Sequence, residues 1–327
     1  MTILITGIHG FVGSNLVEAL KENHKIYGLD IISSEKEGII KTYSWDELDL
    51  LPDVDTIIHL AGKAHDTKSY GRRPVSTASL ASSATTIEYF NINTGLTQTI
   101  FDYFLQSNAR QFIFFSSVKA AADRVEGDYL TEDVIPKPVG TYGESKIKAE
   151  EYINSQLSIV NSQLKTIYIF RPCMIHGPGN KGNLNLLYQF VNKGIPYPLG
   201  AFENRRSFLN IRNLSYIVEQ FILQNPEQGI YHLSDDEPVS TNELIKLIAQ
   251  STGKKERIWR WNKRLIKTVA RIGDVCKLPL NSDRLQKLTE NYVVSNQKMK
   301  TAIGIRRLPV DAKTGLIQTL QTFNHNS

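Results

Sequence analysis

Residues 2–20 read TILITGIHGFVGSNLVEAL, which places an apolar strand, a glycine-rich turn and the start of a helix in direct succession. A glycine motif needs this context to bind a dinucleotide. Gly7 would allow the tight turn, Gly10 would let backbone approach a pyrophosphate, and Gly13 would let the helix pack close to the strand. The alternative is a tight turn without a ligand, but the context favours a cofactor whose phosphates face the helix N-terminus. The predicted cofactor contacts in this turn are Gly7, Gly10, Phe11, Val12 and Gly13.

The second predicted strand ends in an acidic residue. Residues 25–30 read KIYGLD. A carboxylate at this position can accept hydrogen bonds from the ribose hydroxyls of adenosine and repels a 2′-phosphate. Asp30 therefore favours NAD over NADP as the cofactor, and the alternative is a turn residue that only ends the strand.

A third apolar stretch leads into a loop of small residues. Residues 55–62 read DTIIHLAG, a strand followed by a loop that would let backbone lie close to a cofactor. We interpret His59 as a packed histidine, and His65 as a weak candidate for substrate contact. Residues 66–86 are rich in Ser, Thr and Ala and are predicted to form a loop on the substrate side. The loop residues predicted to contact the cofactor are Leu60, Ala61 and Gly62.

A tyrosine and a lysine four residues apart suggest acid/base chemistry. Residues 142–146 read YGESK within a predicted helix, so Tyr142 and Lys146 would project from one face. A fixed ammonium near a phenol favours the phenolate, which predicts a lowered pKa for Tyr142. Such a tyrosine can exchange a proton with a sugar hydroxyl or ketone. The alternative is an exposed polar helix face.

Length and composition are those of an ordinary globular protein. The 327 residues fit one large α/β unit or two closely joined lobes, and the formal net charge of +5 permits anionic ligands without demanding nucleic acid. Cys173 and Cys276 are far apart and lack the spacing of metal ligands, which indicates no metal site and a reduced, cytoplasmic protein. We expect no membrane-spanning segment, because no apolar run is long enough.

These motifs together resemble the extended short-chain dehydrogenases/reductases of the NAD-dependent nucleotide-sugar epimerase/dehydratase family. They occur in the family's order: Gly-x-x-Gly-Phe-x-Gly, Asp30, His59-Leu60-Ala61-Gly62, Asn93, Ser116-Ser117 and Tyr142-x-x-x-Lys146. The resemblance implies an α/β fold, with a Rossmann-type doubly wound parallel sheet and a smaller C-terminal substrate-binding lobe. Residues 1–171 would form the NAD-binding domain. Residues 172–327 would mainly bind the nucleotide-sugar, with residues 230–234 returning to the core sheet.

The resemblance also implies roles for individual side chains. Ser117 would hydrogen-bond the reacting sugar oxygen, with Ser116 as the alternative. Tyr142 would be the general acid/base, and Lys146 would hold the nicotinamide ribose and tune Tyr142, so that both also contact the cofactor. Asn93 completes the implied cofactor site.

The implied substrate is a UDP-sugar, whose diphosphate would meet Asn183, Leu184 and Arg206. Arginine suits a diphosphate because its planar fork makes bidentate, charge-assisted hydrogen bonds. The alternative for Arg205 and Arg206 is a solvated basic pair. The assembly is left open, and a homodimer is compatible with the resemblance.

Departures from the family pattern leave the reaction open between two types. Val118 and Lys119 follow Ser117, where sugar dehydratases carry two acids, so dehydration is not expected. Residues 171–174 read RPCM, where well-known 4-epimerases carry Arg-Tyr-Phe-Asn, and residues 116–119 resemble those of a subgroup that includes UDP-4-keto-N-acetylhexosamine reductases. Asp30 favours a retained NAD, which suits an epimerase.

We therefore expect a 4-epimerase or a 4-ketoreductase that acts at C4 of a UDP-hexose or UDP-N-acetylhexosamine through a 4-keto sugar. The alternative from another class is a dinucleotide-sensing binding protein without catalytic activity.

A basic stretch near the C-terminus contains two tryptophans. Residues 254–264 read KKERIWRWNKR. This pattern could contact an acidic membrane or a partner. The preferred interpretation is a solvated face whose tryptophans pack on the small lobe.

Overall fold

The computed structural model describes residues 1–63, 85–162, 164–180, 182–276 and 281–324. The candidate His65 and most of the stretch predicted as a substrate-side loop lie outside these ranges. Residues 85 and 86, at the end of that stretch, are helical and not a loop, and they begin a described helical segment that continues through residue 90.

A seven-stranded parallel sheet forms the centre of the fold, as predicted. Within the described residues, the strands are β1 Thr2–Thr6, β2 Lys25–Leu29, β3 Lys41–Tyr43, β4 Thr56–His59, β5 Gln111–Phe115, β6 Thr166–Pro172, β7 Met174–His176, β8 Phe208–Asn210 and β9 Gly229–Leu233. The order in the sheet is β3-β2-β1-β4-β5-β6-β9, and β7 and β8 form a separate parallel pair. The chain runs outward from β1 to β3 and then returns to β4, so the direction of winding reverses between β1 and β4. Ligands of open α/β sheets bind at the carboxyl ends of the strands at such a switch point.

Helices cover both faces of the sheet. They are α1 Phe11–Leu20, α2 Leu96–Gln106, α3 Val118–Ala121, α4 Thr141–Ser155, α5 Leu157–Ser162, α6 Asn183–Asn192, α7 Ile211–Gln224, α8 Thr241–Ser251, α9 Lys263–Cys276, α10 Ser282–Thr289, α11 Gln297–Ala302 and α12 Ala312–Asn324. A 3₁₀-helix spans Trp45–Leu50, and a π-helical turn spans Asn91–Gly95 directly before α2.

The pleat of β1 shows how the sheet is buried on both faces. Ile3 and Ile5 belong to a core that contains the apolar faces of α1 and α7, whereas Leu4 belongs to a second core with α2 and α4. Alternate residues of a strand point to opposite faces, so an unbroken apolar strand is what a doubly covered sheet needs.

The C-terminal part of the chain has a core of its own. Its buried residues all lie between Leu184 and Phe323, on α6, α8 and α12 among other elements. β9 lies at the edge of the main sheet beside β6. Ser240 caps α8, because its hydroxyl accepts a hydrogen bond from the Glu243 backbone N–H at 3.0 Å.

The two tryptophans of the basic stretch do not pack on the small lobe, so the preferred interpretation was wrong for them. Trp259 is 49% exposed and Trp261 is 47% exposed. Ile258 packs against the C-terminal core, and it bridges Tyr197 in a short strand-like pairing. The side chains on either side of an inward residue in extended backbone point outward, which leaves Trp259 in solvent. Among the described residues, no helix has the length and apolar character needed to cross a bilayer.

Candidate active site

Two neighbouring serines follow β5, and the structure separates their roles. The Ser116 hydroxyl donates to the buried Glu150 carboxylate. The Ser117 hydroxyl caps α3 by accepting from the Lys119 backbone N–H at 3.2 Å, and it also hydrogen-bonds the side chain of Tyr142. Ser117 is therefore the serine that meets Tyr142, and its implied contact with the reacting sugar oxygen stays a prediction.

Tyr142 and Lys146 lie one turn apart on α4. The Lys146 ammonium is buried and donates to the Phe115 carbonyl at 2.9 Å. Burial lowers the pKa of Lys146 to about 8, although Glu150 opposes this shift. The lysine is thus held beneath the end of β5, beside the two serines.

The pKa of Tyr142 corrects our prediction. Burial raises this pKa, and the hydrogen bond from Ser117 opposes the rise only in part. We expected Lys146 to lower it, but desolvation of the phenolate dominates, and the lysine's donated hydrogen bond goes to Phe115.

The lack of a side chain at Gly62 makes room for the side chains of Lys146 and Asn93. A Cβ atom at Gly62 would stand 2.9 Å from Asn93 Oδ1 and 3.1 Å from Lys146 Nζ. Asn93 is fully buried, accepts from the Lys63 N–H at 2.7 Å and donates to the Ser145 hydroxyl at 2.9 Å. Asn93 therefore ties the loop after β4 to α4, a role that the sequence did not reveal.

The glycine turn after β1 has the geometry of a phosphate cradle. Gly7 has a φ of +68°, and a Cβ there would stand 2.9 Å from the Ala61 N atom. A Cβ at Gly13 would stand 2.6 Å from the Gly7 and Ile8 carbonyl oxygens, which explains why α1 can pack so close to the turn. The first turn of α1 has neither a side-chain cap nor an acidic residue. Its free N–H groups therefore fit the pyrophosphate of a dinucleotide.

Asp30 lies beside this turn and is buried. Its carboxylate accepts from the His9 N–H at 3.0 Å and from the Ile31 N–H at 2.7 Å. A carboxylate has about four acceptor sites, so these bonds leave capacity for a ribose hydroxyl. Asp30 therefore has a structural role in holding the turn, and its contact with the cofactor stays a prediction.

The predicted substrate residues lie in the C-terminal lobe. Leu184 is buried in its core, and Asn183 is exposed at the first residue of α6. Arg206 is half-buried, its Nη1 donates to the Lys287 carbonyl at 3.0 Å, and burial lowers its pKa. Arg205 is exposed. The interpretation as a solvated pair therefore fits Arg205 and does not fit Arg206.

Tyr292 links Arg206 to α3, the short helix that Ser117 caps. The backbones of Arg206 and Tyr292 form a bridge, and the Tyr292 hydroxyl donates to the Ala122 carbonyl at 2.7 Å, just after α3. The Lys119 ammonium lies 4.6 Å from the centre of the Tyr292 ring. The segment with Arg206 is thus packed against the helix that Ser117 caps.

A buried ion pair beneath the candidate catalytic residues was not predicted. Arg171 on β6 donates from Nε and Nη2 to the Glu150 carboxylate at 2.5–3.2 Å, and both side chains are almost completely buried. Glu150 stands four residues after Lys146 and eight after Tyr142, so it occupies the same face of α4. This spacing is the signal by which sequence reasoning could have found it.

Comparison with known proteins decides the family. The sequence profile of the NAD dependent epimerase/dehydratase family matches residues 3–233. The chain belongs to this family. Membership in the epimerase/dehydratase family confirms the resemblance, and because the family is NAD dependent, it also confirms NAD as the cofactor predicted for the chain.

The relatives within the family are distant but cover the chain almost completely. A UDP-glucose 4-epimerase of Vibrio cholerae is 28% identical over 98% of this chain and 95% of its own length. An N-acetyl-α-D-glucosaminyl-diphospho-ditrans,octacis-undecaprenol 4-epimerase of Escherichia coli O157:H7 is 26% identical over 91% of this chain and 84% of its own length. The crystal structure of a UDP-glucuronic acid 4-epimerase from Bacillus cereus in complex with NAD superposes with a TM-score of 0.72 at 17% identity, covering 99% of both chains. At 17% identity, the similarity to the Bacillus cereus structure concerns the fold alone.

Proposed function

We propose that this protein is an NAD-dependent 4-epimerase of a UDP-hexose or UDP-N-acetylhexosamine. The observation that carries the proposal is the hydrogen bond between Ser117 and Tyr142 next to the buried ammonium of Lys146. The similarity to a UDP-glucose 4-epimerase along nearly the whole chain supports it. Each of the three catalytic side chains then has a defined task.

NAD supplies the hydride acceptor and donor for C4 of the sugar. Tyr142 takes the proton from O4 in one half-reaction and returns it in the other, and Ser117 hydrogen-bonds the same oxygen. Lys146, on the same face of α4, stabilises the phenolate while it exists. Because burial raises the pKa of Tyr142, the phenol is its resting form at neutral pH. Oxidation of a sugar alcohol should therefore accelerate as the pH rises.

We assign recognition of the diphosphate to Asn183, the backbone at Leu184, and Arg206. Arg206 is the half-buried guanidinium in this set, and a partly desolvated guanidinium binds a diphosphate more strongly than a fully solvated one. A sugar diphosphate is also the part shared by the nucleotide-sugars and the lipid-linked sugar in the names of the relatives. In this proposal residues 1–171 mainly bind NAD and residues 172–327 mainly bind the sugar nucleotide.

A 4-ketoreductase is the second candidate, and a departure from the 4-epimerase pattern favours it. Met174 stands where the usual Arg-Tyr-Phe-Asn motif has its asparagine, and a thioether cannot replace the hydrogen bonds of an amide to the sugar. The Lys119 ammonium is bonded to the Asp123 carboxylate at 2.9 Å. Lys119 is thus not placed to replace the acids of a dehydratase.

A panel of UDP-sugars assayed with and without added NADH separates these functions. Interconversion of two UDP-hexose or UDP-N-acetylhexosamine epimers without net loss of NADH would establish the epimerase. Stoichiometric NADH loss with a UDP-4-keto-hexosamine, and no interconversion, would establish the reductase. If neither occurs with any sugar nucleotide tried while NAD still binds, the result would favour the alternative of a dinucleotide-sensing binding protein.

Asp30 should set the choice of dinucleotide. We expect NAD(H) to bind more tightly than NADP(H), because a carboxylate repels a 2′-phosphate. Calorimetry on the wild type and on Asp30→Ala checks this: the difference in affinity should narrow in the variant. Equal affinities in the wild type would contradict the placement of Asp30.

A further inference from the structure

Helix α9 has an apolar stripe that faces solvent. Its buried side is narrow and consists of Ile266, Ala270 and Gly273. The exposed apolar residues of the helix are Leu265, Val269, Ile272 and Val275. The first three are spaced by four and three residues, so they lie on one face beside the buried side. Large apolar side chains in such an arrangement mark an interaction surface.

The two exposed tryptophans adjoin the start of this helix. Trp259 and Trp261 stack on each other, with ring centres 6.0 Å apart and planes inclined by 15°. Asn262 follows directly, and its side chain accepts from the Arg264 N–H at 2.8 Å in the first turn of α9. The tryptophan pair and the apolar stripe therefore belong to one segment, which we call the α9 surface (residues 259–276).

Positive charge is concentrated around the α9 surface. Residues 254–276 contain eight lysines and arginines against two acidic residues, which more than accounts for the chain's formal net charge of +5. The basic residues are Lys254, Lys255, Arg257, Arg260, Lys263, Arg264, Lys267 and Arg271. Within the part of the chain that the structure describes, none of the eight forms a salt bridge.

We propose that the α9 surface docks on a membrane that contains anionic lipids, with α9 lying in the interface rather than crossing it. An exposed apolar stripe next to a basic face is what an interfacial helix needs, and tryptophan side chains prefer the boundary between lipid and water. The basic residues are complementary to anionic headgroups, each contributing roughly a fivefold gain in binding. A second copy fits less well, because a two-fold contact would bring two strongly basic surfaces together.

Vesicle flotation with the full chain tests the proposal. We expect the protein to float with phosphatidylcholine vesicles that contain phosphatidylglycerol, and to float far less with phosphatidylcholine alone or at high salt. Ile272→Glu, at a 52% exposed position, should weaken flotation by about tenfold or more, since it places a charge in the apolar stripe. Ile135→Glu is the matched control at an exposed isoleucine outside the α9 surface, and it should float like the wild type.

Tryptophan fluorescence gives an independent readout. The chain has three tryptophans, and the third, Trp45, packs against the main body of the protein. Trp45→Phe leaves only the pair on the α9 surface, and its emission should shift to the blue with anionic vesicles.

Absence of flotation with anionic vesicles would overturn the proposal, as would flotation of Ile272→Glu equal to that of the wild type. An unchanged emission maximum of Trp45→Phe in the presence of floating vesicles would also overturn it. If the protein does not float and Ile272→Glu turns a dimer into a monomer in light scattering, the α9 surface is a contact between two copies. None of these readouts depends on catalytic activity.

Discussion

Two opposing effects act on the protonation of Tyr142. Burial favours the neutral phenol, whereas the hydrogen bond with Ser117 favours the phenolate. Lys146 itself has a pKa of about 8, because burial disfavours its charged form. Burial therefore favours the neutral form of both side chains.

Replacing Tyr142 by Phe tests the role of the hydroxyl. We expect Tyr142→Phe to lower kcat at least about a hundredfold, the usual scale for a lost general acid/base, because Phe has no proton to exchange. NAD affinity and thermal stability should stay close to wild type, which calorimetry and a melting curve would verify. Near-native turnover of this variant would contradict the assignment.

A substitution at Gly62 tests whether activity tolerates a small displacement of the Asn93 and Lys146 side chains. In Gly62→Ala the new Cβ would crowd Asn93 Oδ1 and Lys146 Nζ, which must move. We expect kcat/KM to fall roughly ten- to a hundredfold, because small displacements of a catalytic group cost that much. Gly95→Ala is the matched control, since a Cβ there would have no neighbour closer than 3.9 Å. It should leave activity unchanged, and equal losses in both variants would argue against a specific role of Gly62.

At the scale of elements, α4 joins the site to the sheet. Glu150 on this helix binds Arg171 on β6 and accepts from Ser116 at the end of β5. Lys146 on the same helix bonds the last residue of β5. Because these partners converge, the positions of Ser117, Tyr142 and Lys146 depend on one buried network.

Breaking the buried ion pair should be far more costly than breaking an exposed one on the same helix. In Arg171→Met the Glu150 carboxylate stays buried without its partner, so the free energy of unfolding should fall by about 3–5 kcal/mol. Glu151→Gln is the control, because the Lys148–Glu151 pair is exposed and should contribute less than about 1 kcal/mol. Denaturant unfolding of both variants would measure the difference. Similar small losses would show that the buried pair is not a structural requirement.

At the scale of the whole molecule, buried histidines link stability to pH. His59 is completely buried between the Thr6 and Thr97 hydroxyls, as the prediction of a packed histidine required, and burial lowers its pKa well below the ordinary value. Burial, with a contribution from Arg171, lowers the pKa of His232 to about 4. The unfolded chain therefore takes up these protons at a higher pH than the folded protein does. Stability should fall as the pH drops from about 6.5 towards 4.

His232→Asn should flatten this acid dependence. A pKa that falls from 6.5 to about 4 on folding corresponds to a loss of about 3 kcal/mol by pH 4. Asparagine does not titrate, so the free energy of unfolding of the variant should fall by about 3 kcal/mol less than that of the wild type between pH 7 and pH 4. This difference does not depend on the stability of the variant at pH 7. Urea unfolding at several pH values gives the two slopes. Parallel curves for wild type and variant would refute the link to His232.

Local patterns in the chain were enough to predict the fold class and to place Tyr142 and Lys146 on one face of a helix. The strand, the glycine turn and the helix follow one another directly, and the positive φ of Gly7 and the spacing from Tyr142 to Lys146 depend only on neighbouring residues. Residues 33–52 are polar and have no clear period, so no local pattern in the sequence predicts the short strand β3 and the 3₁₀-helix that lie there.

Tertiary structure alone decided the properties that depend on burial and on partners distant in sequence. It showed that Ser117 meets Tyr142 and that Ser116 serves Glu150, because β5 and α4 are brought together by the sheet. It reversed the predicted direction of the Tyr142 pKa, since desolvation is a property of the packed site. It also left Trp259 and Trp261 in solvent, because whether an apolar side chain is covered depends on which other element packs over it.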